Sequence, residues 1–163
     1  MRRKTFTRAE QKAYEISNKL LSVDFRVTPS MRRKVDDLAV WLAAGDKTKV
    51  KGATQAVIDL LCAAARVTPA KLALQDRAHA EFRGDKMVVK LYGICAPDGT
   101  ITMSFRTAVR RKVFAFKTYL NTLVHEFMHH YDHQRLELGA SFHTRGFYQR
   151  VRDLVVQLVP AQG

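Results

Sequence analysis

Cysteine is scarce in this chain: Cys62 and Cys95 are the only two among 163 residues. Two residues so far apart make neither a disulfide framework nor a CxxC redox site. The count also excludes a separate cysteine-based zinc ribbon. Small buried thiols in a reducing cytoplasm are the expectation for such a pair. Long apolar runs are missing as well. None approaches the roughly 20 residues that span a bilayer, so no membrane partner is expected. The opening stretch MRRKTFTRAEQKAYE lacks the apolar core of a secretory signal. No linker or low-complexity segment interrupts the chain, and a single domain over 1–163 is the simplest organisation. Acidic residues are short too, 15 against 28 Lys and Arg, for a net charge of +13. The excess is concentrated in residues 1–52 and again in 104–163. Such a surface attracts polyanions, with DNA or RNA first among the partners it would favour.

What is present is a foldable chain, with 47% hydrophobic residues. The first 80 residues read as helical. Ala13, Ile16, Leu20 and Leu21 share one face of 7–21, and Thr28-Pro29 reads as an N-cap followed by proline at the first helical position. Met31, Val35, Leu38 and Leu42 continue that second helix to a stop at Gly45. AVIDLLCAAA at 56–65 is a strongly apolar helix, and a second RVTP at 66–69 suggests that another short helix begins there. Beyond residue 80 the pattern changes. AEFR, KMVVKLYGIC and TITMSF, separated by Gly84-Asp85 and Pro97-Asp98-Gly99, read as three short antiparallel strands. Helical spacing returns from about Arg110, through Val113, Phe116, Leu120, Leu123 and Phe127, and a last helix covers 145–158. The expected fold is therefore α+β: a helical part over 1–80, then a small antiparallel sheet, a long helix and a C-terminal helix over 81–163.

Five of the six histidines fall between 125 and 143. His125-Glu126-x-x-His129 is an HExxH pattern. On an α-helix, residues four apart lie roughly 40° from eclipse and about 6 Å along the axis. Both imidazoles can then reach one zinc ion, while Glu126 stands beside it as a base for water. Leu120, Leu123, Val124, Phe127 and Met128 surround the motif with apolar residues. Buried imidazoles and a carboxylate need polar partners, which a metal supplies. His130 points about 100° away from His129, and His133 lies about 12 Å beyond His125 along a straight helix. Both are expected to face solvent or to support the ligands from behind. Gly139 is the first helix breaker, and after it the chain can return His143 as third ligand. Glu137 is a rival third ligand, with the same reach problem as His133. Asp132 has the spacing to orient a ligand imidazole through its second nitrogen. Tyr131 and Tyr148 have hydroxyls suited to an oxyanion, although core packing is the simpler expectation for both.

LVHEFMHHYD at 123–132 and HTRGF at 143–147 resemble the SprT-like metallopeptidase family, over about 87–150. Members of that family carry HExxH on a helix after a β-hairpin and take a third histidine from a pattern like HGxxF. Here Phe147 matches the family phenylalanine, while glycine falls at 146 instead of directly after His143. The resemblance implies a zincin-like fold, zinc on His125, His129 and His143, Glu126 as general base, and peptide-bond hydrolysis. The family's Spartan branch acts on protein crosslinked to DNA, which suits the basic surface. An alternative is a nucleic-acid-binding protein with a structural zinc and no peptidase activity. It differs in having no use for Glu126 and in closing the fourth coordination position with protein.

Overall fold

The computed structural model of the chain describes residues 5–84 and 86–160. Asp85, the second residue of the turn expected at Gly84-Asp85, lies outside the described residues. Helix α1 (Arg8–Lys19) starts at a reciprocal cap. The Thr7 hydroxyl accepts from the Glu10 N–H at 3.1 Å, and the Glu10 carboxylate accepts from the Thr7 N–H at 3.4 Å. Helix α2 (Pro29–Ala44) begins with Thr28 as N-cap and Pro29 in its first turn. It buries Met31, Val35, Leu38 and Leu42 and stops at Gly45, whose φ of 66° is left-handed. Helix α3 (Lys47–Ala65) is nearly twice as long as its apolar part, AVIDLLCAAA. Asp46 caps it by accepting from the Lys49 N–H, so the polar stretch KTKVKGATQ is already helical and contributes Val50 and Thr54 to the buried face.

Five strands follow: β1 (Leu72–Arg77), β2 (His79–Arg83), β3 (Lys86–Leu91), β4 (Gly93–Cys95) and β5 (Ile101–Arg106). A three-stranded sheet has the order β1-β5-β4, while β2 and β3 form a separate antiparallel hairpin. In the first sheet β1 runs parallel to β5, with Leu72 opposite Ile101, and β4 runs antiparallel to it, with Gly93 opposite Met103. The sheet is therefore mixed, where the sequence suggested antiparallel strands only. The cause lies in the second RVTP. Thr28 caps a helix, but Thr68 does not: its hydroxyl donates to Gln134 Oε1 at 2.8 Å. Arg66 ends α3 in the left-handed region, with φ 58°, and the chain then extends into β1 instead of a fourth helix. Leu72 and Leu74 are separated by the apolar Ala73, so the segment carries little of the apolar-polar alternation that marks a half-buried strand.

Helix α4 (Phe116–Gln134) begins six residues later than its apolar spacing suggested. Residues 107–115 instead close a loop on themselves and on the end of β5. The Thr107 N–H donates to Lys112 O, the Phe114 N–H donates to Phe105 O, and Val113 bridges to Arg106. Helix α5 (Arg145–Leu158) is capped by Thr144, whose hydroxyl accepts from the Phe147 N–H at 2.9 Å. The fold class is α+β. A buried cluster running from Val23 to Leu158 includes Val35, Leu38, Ile58, Leu61, Ile101, Phe105, Leu123, Phe127, Phe147 and Leu154, so α4 lies in the middle of the core. Among the described residues no helix is long and apolar enough to cross a membrane.

Candidate metal centre

The middle of α4 buries Leu123, Val124, Glu126, Phe127 and Met128 and leaves His125 and His129 on a half-buried face one turn apart. After Gln134 the helix ends. Glu137 adopts φ 54° and the Leu138 N–H donates back to Asp132 O, so the reversal starts before Gly139. The returning loop brings His143 over the helix just before Thr144 caps α5. The Nε2 atom of His143 lies 3.1 Å from Nε2 of His125 and 3.1 Å from Nε2 of His129. Tetrahedral zinc with Zn–N of 2.0–2.1 Å separates its nitrogen ligands by about 3.3 Å. Without a cation, three imidazole nitrogens at these distances share too few hydrogens to satisfy one another. The donor set therefore fits a zinc-sized ion, and among the described residues these three alone form a metal-ligating cluster. Phe147 packs beneath all three rings, with centroid distances of 4.7–5.3 Å, and fixes the floor of the site.

Glu126 stands on the wall of the same cleft, which has a volume of about 360 Å³ and is bounded on one side by Gly93, Ile94 and Cys95 of β4. A Cβ at Gly93 would lie 3.1 Å from Cγ of Glu126 and 2.9 Å from Cγ2 of Thr122. Glycine is what lets the strand backbone press against this turn of α4. A larger apolar groove of about 550 Å³ runs along α4 between Phe116, Leu120 and Val155, but it contains no metal-ligating side chain. The three candidate metal-ligating histidines line the smaller cleft.

Burial sets the protonation of the cleft. It raises the Glu126 pKa to about 7, partly offset by the Cys95 backbone N–H facing the carboxylate. Burial, reinforced by His143, lowers His125 to about 4. Burial, then His125, His143 and His133, lowers His129 to about 3. Both imidazoles are thus neutral at physiological pH, with lone pairs open to a cation.

The other candidates fall differently from their sequence expectation. Glu137 is exposed and stands outside the ligating cluster. His130 is not a surface residue: it is 4% exposed, its Nε2 lies 2.6 Å from Thr68 O, and Gly99 closes over its ring. His133 is exposed at the rim of the cleft, its Nδ1 2.9 Å from Leu138 O. Tyr131 packs in the core and donates to Asp24. Tyr148 does not: it is 52% exposed and its ring stacks on His143 at 5.8 Å, at the mouth of the site.

Asp132 reaches His129 only through Ser141, and on its other side meets Arg150 at 2.9 Å. Neither Ser141 nor Arg150 was singled out from the sequence. Arg150 carried a signal nonetheless, since it sits on the apolar stripe Phe147, Val151, Leu154, where an arginine needs a buried partner. Comparison of the chain with protein-family models, with curated proteins and with solved structures gives no match.

The pKa directions predict an acid limb for the metal-free chain. Above pH 6.5 the imidazoles are neutral in both folded and unfolded states. As the pH falls below that, the unfolded chain takes up protons that the folded cleft refuses until about 4 and 3, so stability is lost. Glu126 acts oppositely, its contribution fading as the pH rises from about 4.5 to about 7. A metal-free His125→Gln/His129→Gln double variant should hold its melting temperature further down between pH 6.5 and 4 than the parent. Thermal melts across that window check it, and parallel decline of the two chains would contradict it.

Proposed function

We propose that this chain is a zinc-dependent metallopeptidase of SprT-like type, with a zincin-like arrangement of β4, α4 and the His143 loop. The observation that carries the reading is the convergence of the Nε2 atoms of His125, His129 and His143, at 3.1 Å, beside a buried Glu126. His125, His129 and His143 would hold the ion, which when bound lowers the pKa of water and polarises a carbonyl.

The remaining work falls to the chain itself. Strand β4 pairs with β5 on one side and ends the three-stranded sheet on the other, so an extended peptide can add along its edge and lay a scissile bond over the cleft. Glu126, set against the backbone of Gly93 and Cys95, accepts a proton from the attacking water and can later pass it to the departing amine. Tyr148, stacked on His143 at the open mouth, has a hydroxyl suited to the oxygen on which negative charge develops. The structural-zinc alternative requires a fourth protein ligand, and the ligating cluster among the described residues stops at three.

Glu126→Gln keeps the shape of the side chain and removes the base. The variant should retain about one zinc per chain and lose roughly 10²–10⁴-fold in cleavage of an unfolded protein such as casein. Metal analysis and a cleavage assay on both chains check it. Equal activity in the two would remove Glu126 from the mechanism and the peptidase reading with it.

A basic face favours a nucleic-acid partner in addition. Arg77 lies opposite Arg106 where β1 and β5 end, and Arg110, Arg111 and Lys112 are exposed on the following loop. From the start of α4 to His125 is about 14 Å. A bound strand would therefore lie beside the cleft, not in it. Phosphate contacts should give little sequence preference, and six to ten of them should lose roughly 10³–10⁵ in affinity between 50 and 200 mM salt. Binding measured over a salt series checks this, and affinity indifferent to salt would contradict it.

A further inference from the structure

Ser141 stands between a metal-ligand imidazole and a buried ion pair. Its Oγ lies 2.8 Å from Nδ1 of His129 and donates to Oδ2 of Asp132 at 2.7 Å. The other carboxylate oxygen of Asp132 accepts from Arg150 at 2.9 Å, and neither residue of that pair is exposed at all. A hydroxyl has one hydrogen. If Ser141 gives it to Asp132, its oxygen can only accept from His129, so the His129 hydrogen must sit on Nδ1. The Nε2 lone pair is then free, and Nε2 is the atom that faces His143. Reversing the chain, with Asp132 donating and Ser141 giving its hydrogen to Nδ1, would put the imidazole hydrogen on Nε2, between the ligand nitrogens. Arg150 opposes that reversal, because a guanidinium at 2.9 Å favours the carboxylate.

Resting on the metal-centre reading above, we infer that Ser141 and Asp132 are positioning residues: they hold His129 in the Nδ1–H tautomer with Nε2 directed at the ion. Arg150 anchors this chain of hydrogen bonds to the N-terminal helix. It donates to the carbonyl oxygens of Ser17 and Leu20 at 2.7 and 2.6 Å and to the Ser17 hydroxyl at 3.0 Å. The Ser17 hydroxyl in turn lies 2.9 Å from that of Thr144, the neighbour of His143. Helix α1 thereby braces the second and third ligands together.

Ser141 is partly exposed, so its replacement leaves the core intact, whereas Asp132→Asn would strand a buried guanidinium. The test uses the full chain with Ser141→Ala and Ser141→Thr. Long-range ¹H–¹⁵N spectra of the metal-free chains at neutral pH read the His129 tautomer, assigned by comparison with His129→Gln. The parent should show Nδ1–H, the alanine variant a mixture of tautomers, and the threonine variant Nδ1–H again. Zinc affinity, read by competition with a chelator, should fall about 10–100-fold in Ser141→Ala and recover in Ser141→Thr. A parent with its hydrogen on Nε2, or an alanine variant equal to the parent in tautomer and affinity, would overturn the role of Ser141. A parent that takes up no zinc would instead overturn the metal centre on which the inference rests.

Discussion

A guanidinium with no exposed surface organises this molecule. Arg150 projects from the apolar stripe of α5 into a space bounded by the C-terminal end of α1 and the second half of α4. Burying an unpaired cation there would cost several kcal/mol, so the surroundings must satisfy it. Asp132, two carbonyl oxygens at the end of α1 and the Ser17 hydroxyl bind its two terminal nitrogens, while Nε is left without a hydrogen-bond partner. Removal of any one of these partners leaves a buried charge short of bonds, so α1, α4 and α5 are held in one arrangement. Close packing reinforces it. A Cβ on Gly146 would lie 2.0 Å from Ser17 O, so the contact between α1 and the first turn of α5 leaves room only for glycine there. The cleft inherits its geometry from this frame, since the loop carrying Ser141 and His143 is tied at both ends to the same three helices.

The parts of this arrangement that could be read from the sequence are those set by local periodicity. Capping chemistry at Thr28-Pro29 and Gly45 placed α2 to the residue, and the four-residue spacing of His125 and His129 placed both on one helical face. His143 was legible as a candidate because the chain breaks between it and that helix, although the left-handed residue at the reversal is Glu137 and not Gly139. What resisted reading depends on pairing between distant segments. The parallel contact of β1 with β5 joins residues about 30 positions apart, and nothing in KLALQDR distinguishes it from the start of a helix as firmly as that contact does. His130 looked like a surface histidine by angle alone. It is buried because the Thr68 carbonyl and Gly99 arrive from two other elements to enclose it. Tyr148 was expected in the core, yet α5 turns that position towards the cleft mouth.

The electrostatics of the cleft and its chemistry have one origin. Burial keeps His125 and His129 neutral and raises Glu126 to about 7, so the two imidazoles can meet a cation without first losing a proton.

The central claim is that an ion held by three imidazoles keeps one coordination position for solvent. X-ray absorption spectroscopy of the zinc-loaded chain tests it most directly, because it counts ligands and separates sulfur from nitrogen and oxygen by distance. The account predicts four light-atom neighbours at about 2.0–2.1 Å, three of them with the outer-shell scattering of imidazole. A sulfur neighbour at about 2.3 Å, which would bring Cys95 from the wall of the cleft into the coordination sphere, or a fourth imidazole, would close the site and contradict a hydrolytic role.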